Sequence, residues 1–290
     1  MGTKERYINL FTDFGFKRVF GEEANKDLLM DFLNQVLPED YHIRDLHFSK
    51  NDHLGAGIEN RKAIFDIYCV SEKGEHFIVE LQKARQDYFK DRSVYYASFP
   101  IQEMALKGDD WNYRLQPIFT VGILNFAFKD GKEDQEKFHH HVQLKDQECK
   151  VFYEKLHFIY LELPKFSKSL RECKTRYDKW LWVFKHLPDL EDIPVDLRED
   201  IFIKLFKITE FTRLSKAEKE AYRESLKYLR DLHNVVDTAY REGEQIGLEK
   251  GMKLTLQVIR LHQQGKTQEE ISQILGQPLR VILQILDEMG

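Results

Sequence analysis

The acids best placed to do chemistry lie in two alternating stretches, 61–70 and 75–83, separated by Ser71-Glu72-Lys73-Gly74. β-Branched and aromatic residues fill both stretches, and a glycine near the end of the short link is a hairpin signal. With a three-residue loop, Glu72-Lys73-Gly74, and Gly74 in the left-handed conformation, Phe65 faces Leu81, Ile67 faces Val79 and Cys69 faces Phe77. One face of the hairpin is then wholly apolar, as a correctly registered pair of half-buried strands should be. On the other face Asp66 stands opposite Glu80, and Gln82 shares that face because side chains alternate along a strand. Like charges paired across strands cost a few tenths to about 1 kcal/mol. The neighbours Ile64, Tyr68 and Ile78 would add desolvation. A divalent cation removes both penalties, so two carboxylates at oxygen-ligand distance form a Mg2+-type site. The alternative is a solvent-exposed acid pair on an edge hairpin, where acids are common.

The surrounding elements read as a mixed α/β domain. Asp13 is placed to cap a short helix over 14–20. Leu28, Leu29, Phe32, Leu33, Val36 and Leu37 repeat at helical spacing, and Pro38 ends that pattern. After the stretch His53 to Gly57 and the hairpin, residues 85–107 return to helix with Tyr88, Tyr95, Tyr96, Phe99 and Met104 among charges. The runs 117–128 and 158–163 are continuous apolar segments of strand length, as in buried strands. Everything beyond about Lys165 reads as helical. Gly243, Gly247 and Gly251 recur every four residues, and 267–275 and 278–288 form two short helical patterns around Gly276-Gln277, resembling a helix-turn-helix.

Composition bounds the function. The 290 residues carry a formal charge of −5 and 42% apolar residues, enough for a full core and too acidic for a polycation that coats nucleic acid by charge alone. Cys69, Cys149 and Cys173 are far apart and odd in number, which argues against a disulfide framework or a thiolate zinc site. The N-terminal residues lack the apolar core of a signal peptide. No stretch reaches the ~20 apolar residues that cross a bilayer. The expectation is a cytoplasmic protein with no membrane partner.

Asp66, followed after thirteen intervening residues by Glu80-Leu81-Gln82 on the next strand, resembles the D…(D/E)-x-K core of PD-(D/E)XK nucleases. More specifically, the chain resembles the PD-(D/E)XK nuclease family transposases, or recombination-promoting nucleases. The residues that carry this are TDFGFKRVFG at 12–21, NKDLLMDFLNQVL at 25–37, RKAIFDIYCVSEKGEHFIVELQ at 61–82 and FKDRSVYYAS at 89–98. Similarity continues through KGDDWNYRLQPIFTVGILNF at 107–126 and LELPKF at 161–166. The resemblance implies a restriction-endonuclease-like mixed sheet flanked by helices, with an all-helical C-terminal extension. The implied domains are a nuclease domain at 1–165, a helical region at 166–240 and a glycine-spaced tail at 241–290. It also implies Mg2+-dependent DNA cleavage, with Mn2+ or Ca2+ as substitute ions. Asp66, Glu80 and the main-chain carbonyl of Leu81 would hold the metal, and Asp13 would be an accessory acid. Gln82 departs from the lysine of many superfamily members. Lys supplies positive charge near the attacking water, whereas Gln supplies only a hydrogen-bond donor and acceptor. Lys17 or Arg92 would then compensate. The alternative function is a non-catalytic DNA-binding or interaction protein that keeps the nuclease fold.

Other clusters read as follows. His139-His140-His141 cannot ligate one ion from a regular strand, because successive side chains point to opposite faces; a polar strand start is expected. Arg92 beside Tyr95 and Tyr96 is either a phosphate contact or a surface arginine over core tyrosines. Lys165, Lys168, Arg171, Lys174, Arg176, Lys179 and Lys185 outnumber Glu172 and Asp178, with aromatics interleaved. This is the best candidate for DNA backbone contact, against the alternative of an amphipathic helix with solvated lysines. The tail from Leu256 holds Arg260, Lys266 and Arg280 against four acids, a poor groove reader. A homo-oligomer through the C-terminal helices suits it equally well.

Overall fold

Thr12 starts the first helix. Its extended backbone and its hydroxyl, which accepts the Gly15 N–H at 2.9 Å, cap α1 (Asp13–Phe20). The cap therefore lies one residue before the expected Asp13, which instead occupies the first turn and pairs with Lys17 at 3.0 Å. The computed structural model of the chain describes residues 5–49, 52–53, 63–105, 112–128 and 136–288. Residues 54–57, 61–62 and 106–107, part of the stretches read above as loop, strand and helix, lie outside them.

After α1 come α2 (Lys26–Val36), β1 (Leu46–Phe48), β2 (Asp52–His53), β3 (Ala63–Ile64), β4 (Ile67–Ser71) and β5 (His76–Gln82). Next are α3 (Phe89–Ala105), β6 (Ile118–Leu124), β7 (His139–Lys145), β8 (Val151–Glu162), α4 (Arg176–His186) and α5 (Asp200–Thr209). The chain ends in α6 (Lys216–Gln263), α7 (Gln268–Leu275) and α8 (Leu279–Asp287). Two compact units result, Met1–Arg230 and Asp231–Gly290.

In the first unit a six-stranded mixed sheet runs β1-β4-β5-β6-β8-β7. β5, β6 and β8 are parallel, and the remaining pairs are antiparallel. Ile67 pairs with Val79 and Cys69 with Phe77, the register expected from the turn. Gly74 adopts φ +87° and donates its N–H to Ser71 O at 3.0 Å, which closes the loop. All seven residues of β5 are buried, so it is an interior strand and not part of an exposed edge hairpin.

Each face of the sheet is covered. Ile67, Cys69, Phe77, Val79 and Leu81 pack with Phe119, Val121, Ile159, Phe16, Phe32, Trp180 and Phe184 from the strands, α1, α2 and α4. Tyr68 and Ile78 point the other way, against Phe99 and Tyr96 of α3. Phe65 is the exception to the expected alternation. It joins Tyr68, Ile78 and Phe99 instead of the Leu81 face, because regular strand stops at Ile64 and resumes at Ile67. β8 begins earlier than its apolar run, since Val151 and Tyr153 pair with the end of β7 to close an antiparallel hairpin, while most of β7 pairs with the buried half of β8. His139 is the first residue of β7, as its polarity suggested.

The second unit is helical. Thr267 caps α7 in a capping box with Glu270, and Gly276 ends it at φ +59°. Val258, Ile271 and Ile282 form its small core. A Cβ added at Gly243, Gly247 or Gly251 would meet nothing within 4 Å.

Candidate active site

The break between β3 and β4 is where Asp66 sits, and the acids themselves replace the missing strand hydrogen bonds. The Asp66 N–H donates to Glu80 Oε1 at 3.2 Å, and Asp66 Oδ2 accepts the Leu81 N–H at 2.8 Å. Gln82 Nε2 donates to Glu80 Oε2 at 3.2 Å. Asp66, Glu80, Leu81 and Gln82 are thus one hydrogen-bonded cluster. Glu80 and Gln82 are only 5% and 7% exposed, and Gly122 of β6 lies beside Glu80 in the sheet.

Burial is the main force on both carboxyls. It pushes Glu80 up to about 8, with the charge of Asp66 adding to the effect and Arg92 opposing it. Burial likewise raises Asp66; the Leu81 N–H opposes this, Asp13 reinforces it, and Lys17 and Lys83 draw it down. The pair therefore retains a proton at neutral pH unless positive charge is brought in. That chemistry fits a hard divalent cation, which binds through one or two carboxylates and keeps much of its water. Among the described residues no group of three or more His, Cys, Asp or Glu side chains is arranged to hold a metal. The side-chain donors here number two, to which the Leu81 carbonyl and a substrate oxygen would add.

Two groups of cations flank the cluster. On the α1 side, Asp13 and Lys17 line a cleft of about 710 Å3 with Arg18, Lys83 and Tyr228. On the α3 side, the Arg92 guanidinium lies 5.2 Å from the Phe89 ring centre and 5.6 Å from that of Tyr96, and it donates to Gln86. Arg92 Nε is buried without a hydrogen-bond partner among the described residues. Burial lowers Lys83 from the usual lysine range, while Asp13 and Asp66 draw it back up.

A family model of PD-(D/E)XK nuclease family transposases matches residues 10–239 of the chain. The chain belongs to that family. Comparisons with curated proteins and with solved structures give no match. The restriction-endonuclease-like fold of the PD-(D/E)XK family accounts for the mixed sheet and its flanking helices, and membership gives the protein a nuclease-type function.

Elsewhere in this PD-(D/E)XK family protein, much of the basic run is paired internally. Lys165 pairs with fully buried Glu162 at 2.6 Å, and His140 Nε2 lies 3.1 Å from the same carboxylate, both close contacts without hydrogen-bond alignment. Lys168 pairs with Asp178, Arg176 with Asp31 and Glu199, and Lys179 with Glu199. Trp180 and Phe184 are core residues. Arg171 and Lys174 are exposed and make no ion pair with the described residues. None of Lys165, Lys168, Arg171 or Lys174 joins the Asp66–Glu80 cluster.

Sequence reasoning missed Lys83 and Tyr228. Lys83 directly follows Gln82, but strand alternation assigns it to the opposite face; the strand ends at Gln82 and that rule lapses. Tyr228 lies far along the chain, on α6, and nothing local connects it to the acids. Among the described residues no helix is long and apolar enough to cross a membrane.

Proposed function

We propose that this chain is a Mg2+-dependent DNA endonuclease of the recombination-promoting type, cutting phosphodiesters by hydrolysis. The observation that carries the reading is the Asp66–Glu80 pair, Glu80 buried and Asp66 half-buried, held together by hydrogen bonds to main-chain N–H groups although their like charges oppose each other. Structural acids are seldom left so; acids kept for a cation are.

Asp66, Glu80 and the Leu81 carbonyl would hold Mg2+. When bound, it would acidify a water and polarise the scissile phosphate. The chain's own groups do the rest. The Leu81 N–H fixes one Asp66 oxygen and so sets the orientation of the carboxylate. Gln82 holds Glu80 in place through Oε2 and orients the attacking water by its amide. Asp13, at the mouth, tunes the charge on Asp66 as an accessory acid. Arg92 supplies positive charge on the Glu80 side. Lys165, Lys168, Arg171 and Lys174 lie outside the cluster, and DNA backbone contact is assigned first to the exposed pair, Arg171 and Lys174.

The test is nicking of supercoiled plasmid in Mg2+ against EDTA. Asp66→Ala and Glu80→Ala should each abolish Mg2+-dependent cleavage while far-UV circular dichroism stays native. Full activity in either variant overturns the assignment. One observation favours the second reading, a DNA-binding protein without catalysis: Gln82 turns its amide onto Glu80 and brings no positive charge. Plasmid binding without Mg2+-dependent cleavage by the wild type would establish that reading instead.

A further inference from the structure

The position after Glu80 and Leu81 lacks a cation; of Lys17 and Arg92, the first is paired to Asp13 and the second acts on the α3 side of the cluster, toward Glu80. Lys17 is bound to Asp13 at 3.0 Å. Arg92 donates to Gln86 and lies against two aromatic rings. Lys83 differs from both. It is half-buried, lines the cleft on the α1 side, and makes no ion pair with any described residue. Its ammonium stands 5.5 Å from the centre of the Tyr228 ring. Its charge acts on Asp66, and the charges of Asp66 and Asp13 act on it.

An ammonium has three N–H donors and no acceptor. A ring face attracts it without using up those donors. Lys83 is therefore a partly desolvated cation beside the acid pair, with donors left for an incoming anion. The acids across the cleft, Glu22 and Glu224, line it without pairing to Lys83. Arg18 takes Glu22 and Glu218.

Building on the nuclease reading above, we propose that Lys83 is a catalytic residue that contacts a non-bridging oxygen of the scissile phosphate from the α1 side of Asp66. It keeps its protons throughout. The water oxygen forms a bond to phosphorus, the bond from phosphorus to the leaving oxygen breaks, and a proton from that water ends on the leaving oxygen. Negative charge gathers on the non-bridging oxygens as this happens, and a fixed ammonium there lowers the barrier. Because β5 ends at Gln82, the side chain of the following residue is free to turn toward the mouth, which a continued strand would forbid.

The experiment compares wild type, Lys83→Gln, Lys83→Arg and Asp66→Ala by two measurements. The first is DNA affinity against salt with EDTA present, which needs no cleavage. Loss of one phosphate contact reduces the slope of log K against log salt by about 0.9, so Lys83→Gln should show that reduction and Lys83→Arg should not. The second is the single-turnover cleavage rate in Mg2+ at saturating DNA. Lys83→Gln should lose roughly 100-fold, in the range for removing one preorganised donor, and Lys83→Arg should recover most of it. An unchanged salt slope in Lys83→Gln overturns the phosphate contact. A reduced slope with an undiminished cleavage rate makes Lys83 a binding cation only and overturns its catalytic role. If Asp66→Ala is inactive while Lys83→Gln cuts normally, the nuclease reading stands and the Lys83 assignment falls. If wild type never cuts, both the nuclease reading and the catalytic role fall.

Discussion

Removing the ionisable group at Glu80 gives a measurable consequence that does not depend on any substrate. The carboxyl is 5% exposed and raised from an ordinary 4.5 to about 8, chiefly by burial. At 1.36 kcal/mol per pH unit, the full gap corresponds to ~5 kcal/mol between the protonated and ionised forms. The sign follows from linkage. A raised folded value favours folding fully below pH 4.5, and that contribution is lost progressively as pH rises toward 8. Between pH 5 and pH 8 the metal-free protein should therefore lose about 3 kcal/mol of stability through this group. Urea unfolding in EDTA, followed by circular dichroism at several pH values, measures it. Glu80→Gln keeps the shape and the Oε1 acceptor for the Asp66 N–H but cannot ionise. Its pH profile over that range should be correspondingly flatter, and at pH 8 it should be more stable than wild type. Mg2+ should restore the wild type at pH 8 and do little at pH 5, because the ion must displace a proton to bind. Superimposable pH profiles for wild type and Glu80→Gln in EDTA would refute the reasoning.

Gln82→Lys would place an ammonium against Glu80 Oε2, the atom its amide now holds; the carboxylate should ionise at lower pH, and the pH–rate profile of cleavage should shift to the acid side, as a titrated plasmid-nicking series would show. Lys165→Met would leave Glu162, which is fully buried, without its 2.6 Å partner. Breaking a buried pair from one side costs about 3 kcal/mol or more, so urea unfolding should show that loss, while DNA affinity should change little because Lys165 serves the fold.

Much of the site can be read from local pattern. Gly74 in a short loop dictates the hairpin register as far as Ile67 and Val79, and continuing that register brings position 66 beside position 80, where hydrogen bonds from the acids take over from the strand. The limits have specific causes. Phe65 leaves the expected face because Asp66 bonds through its side chain to a main-chain N–H, a departure that period-two alternation cannot register. Thr12 rather than Asp13 caps α1 because its backbone is extended and its hydroxyl reaches Gly15, a choice between adjacent capping residues that composition leaves open. The pairing of Arg176 and Lys179 within the basic run is not legible locally because their partners are distant in sequence: Asp31 and Glu199 are brought to them by α2 and the segment before α5. Lys83 was hidden by the same alternation rule that exposed Glu80.

Of the two acids, Glu80 is mounted on an inner strand whose seven residues are all covered, paired on one side to β4 and on the other to β6, while Asp66 stands beside it in the break before β4. Such a strand belongs to the slowest-exchanging part of a protein, where amide protons escape only through global unfolding. Local breathing of that strand therefore offers no route to the Glu80 carboxylate, and a nucleic acid must reach it at the strand's C-terminal end, between the first helix and Arg92. Control over turnover then falls to the groups that frame that opening, and the acids beneath stay fixed while those groups are altered.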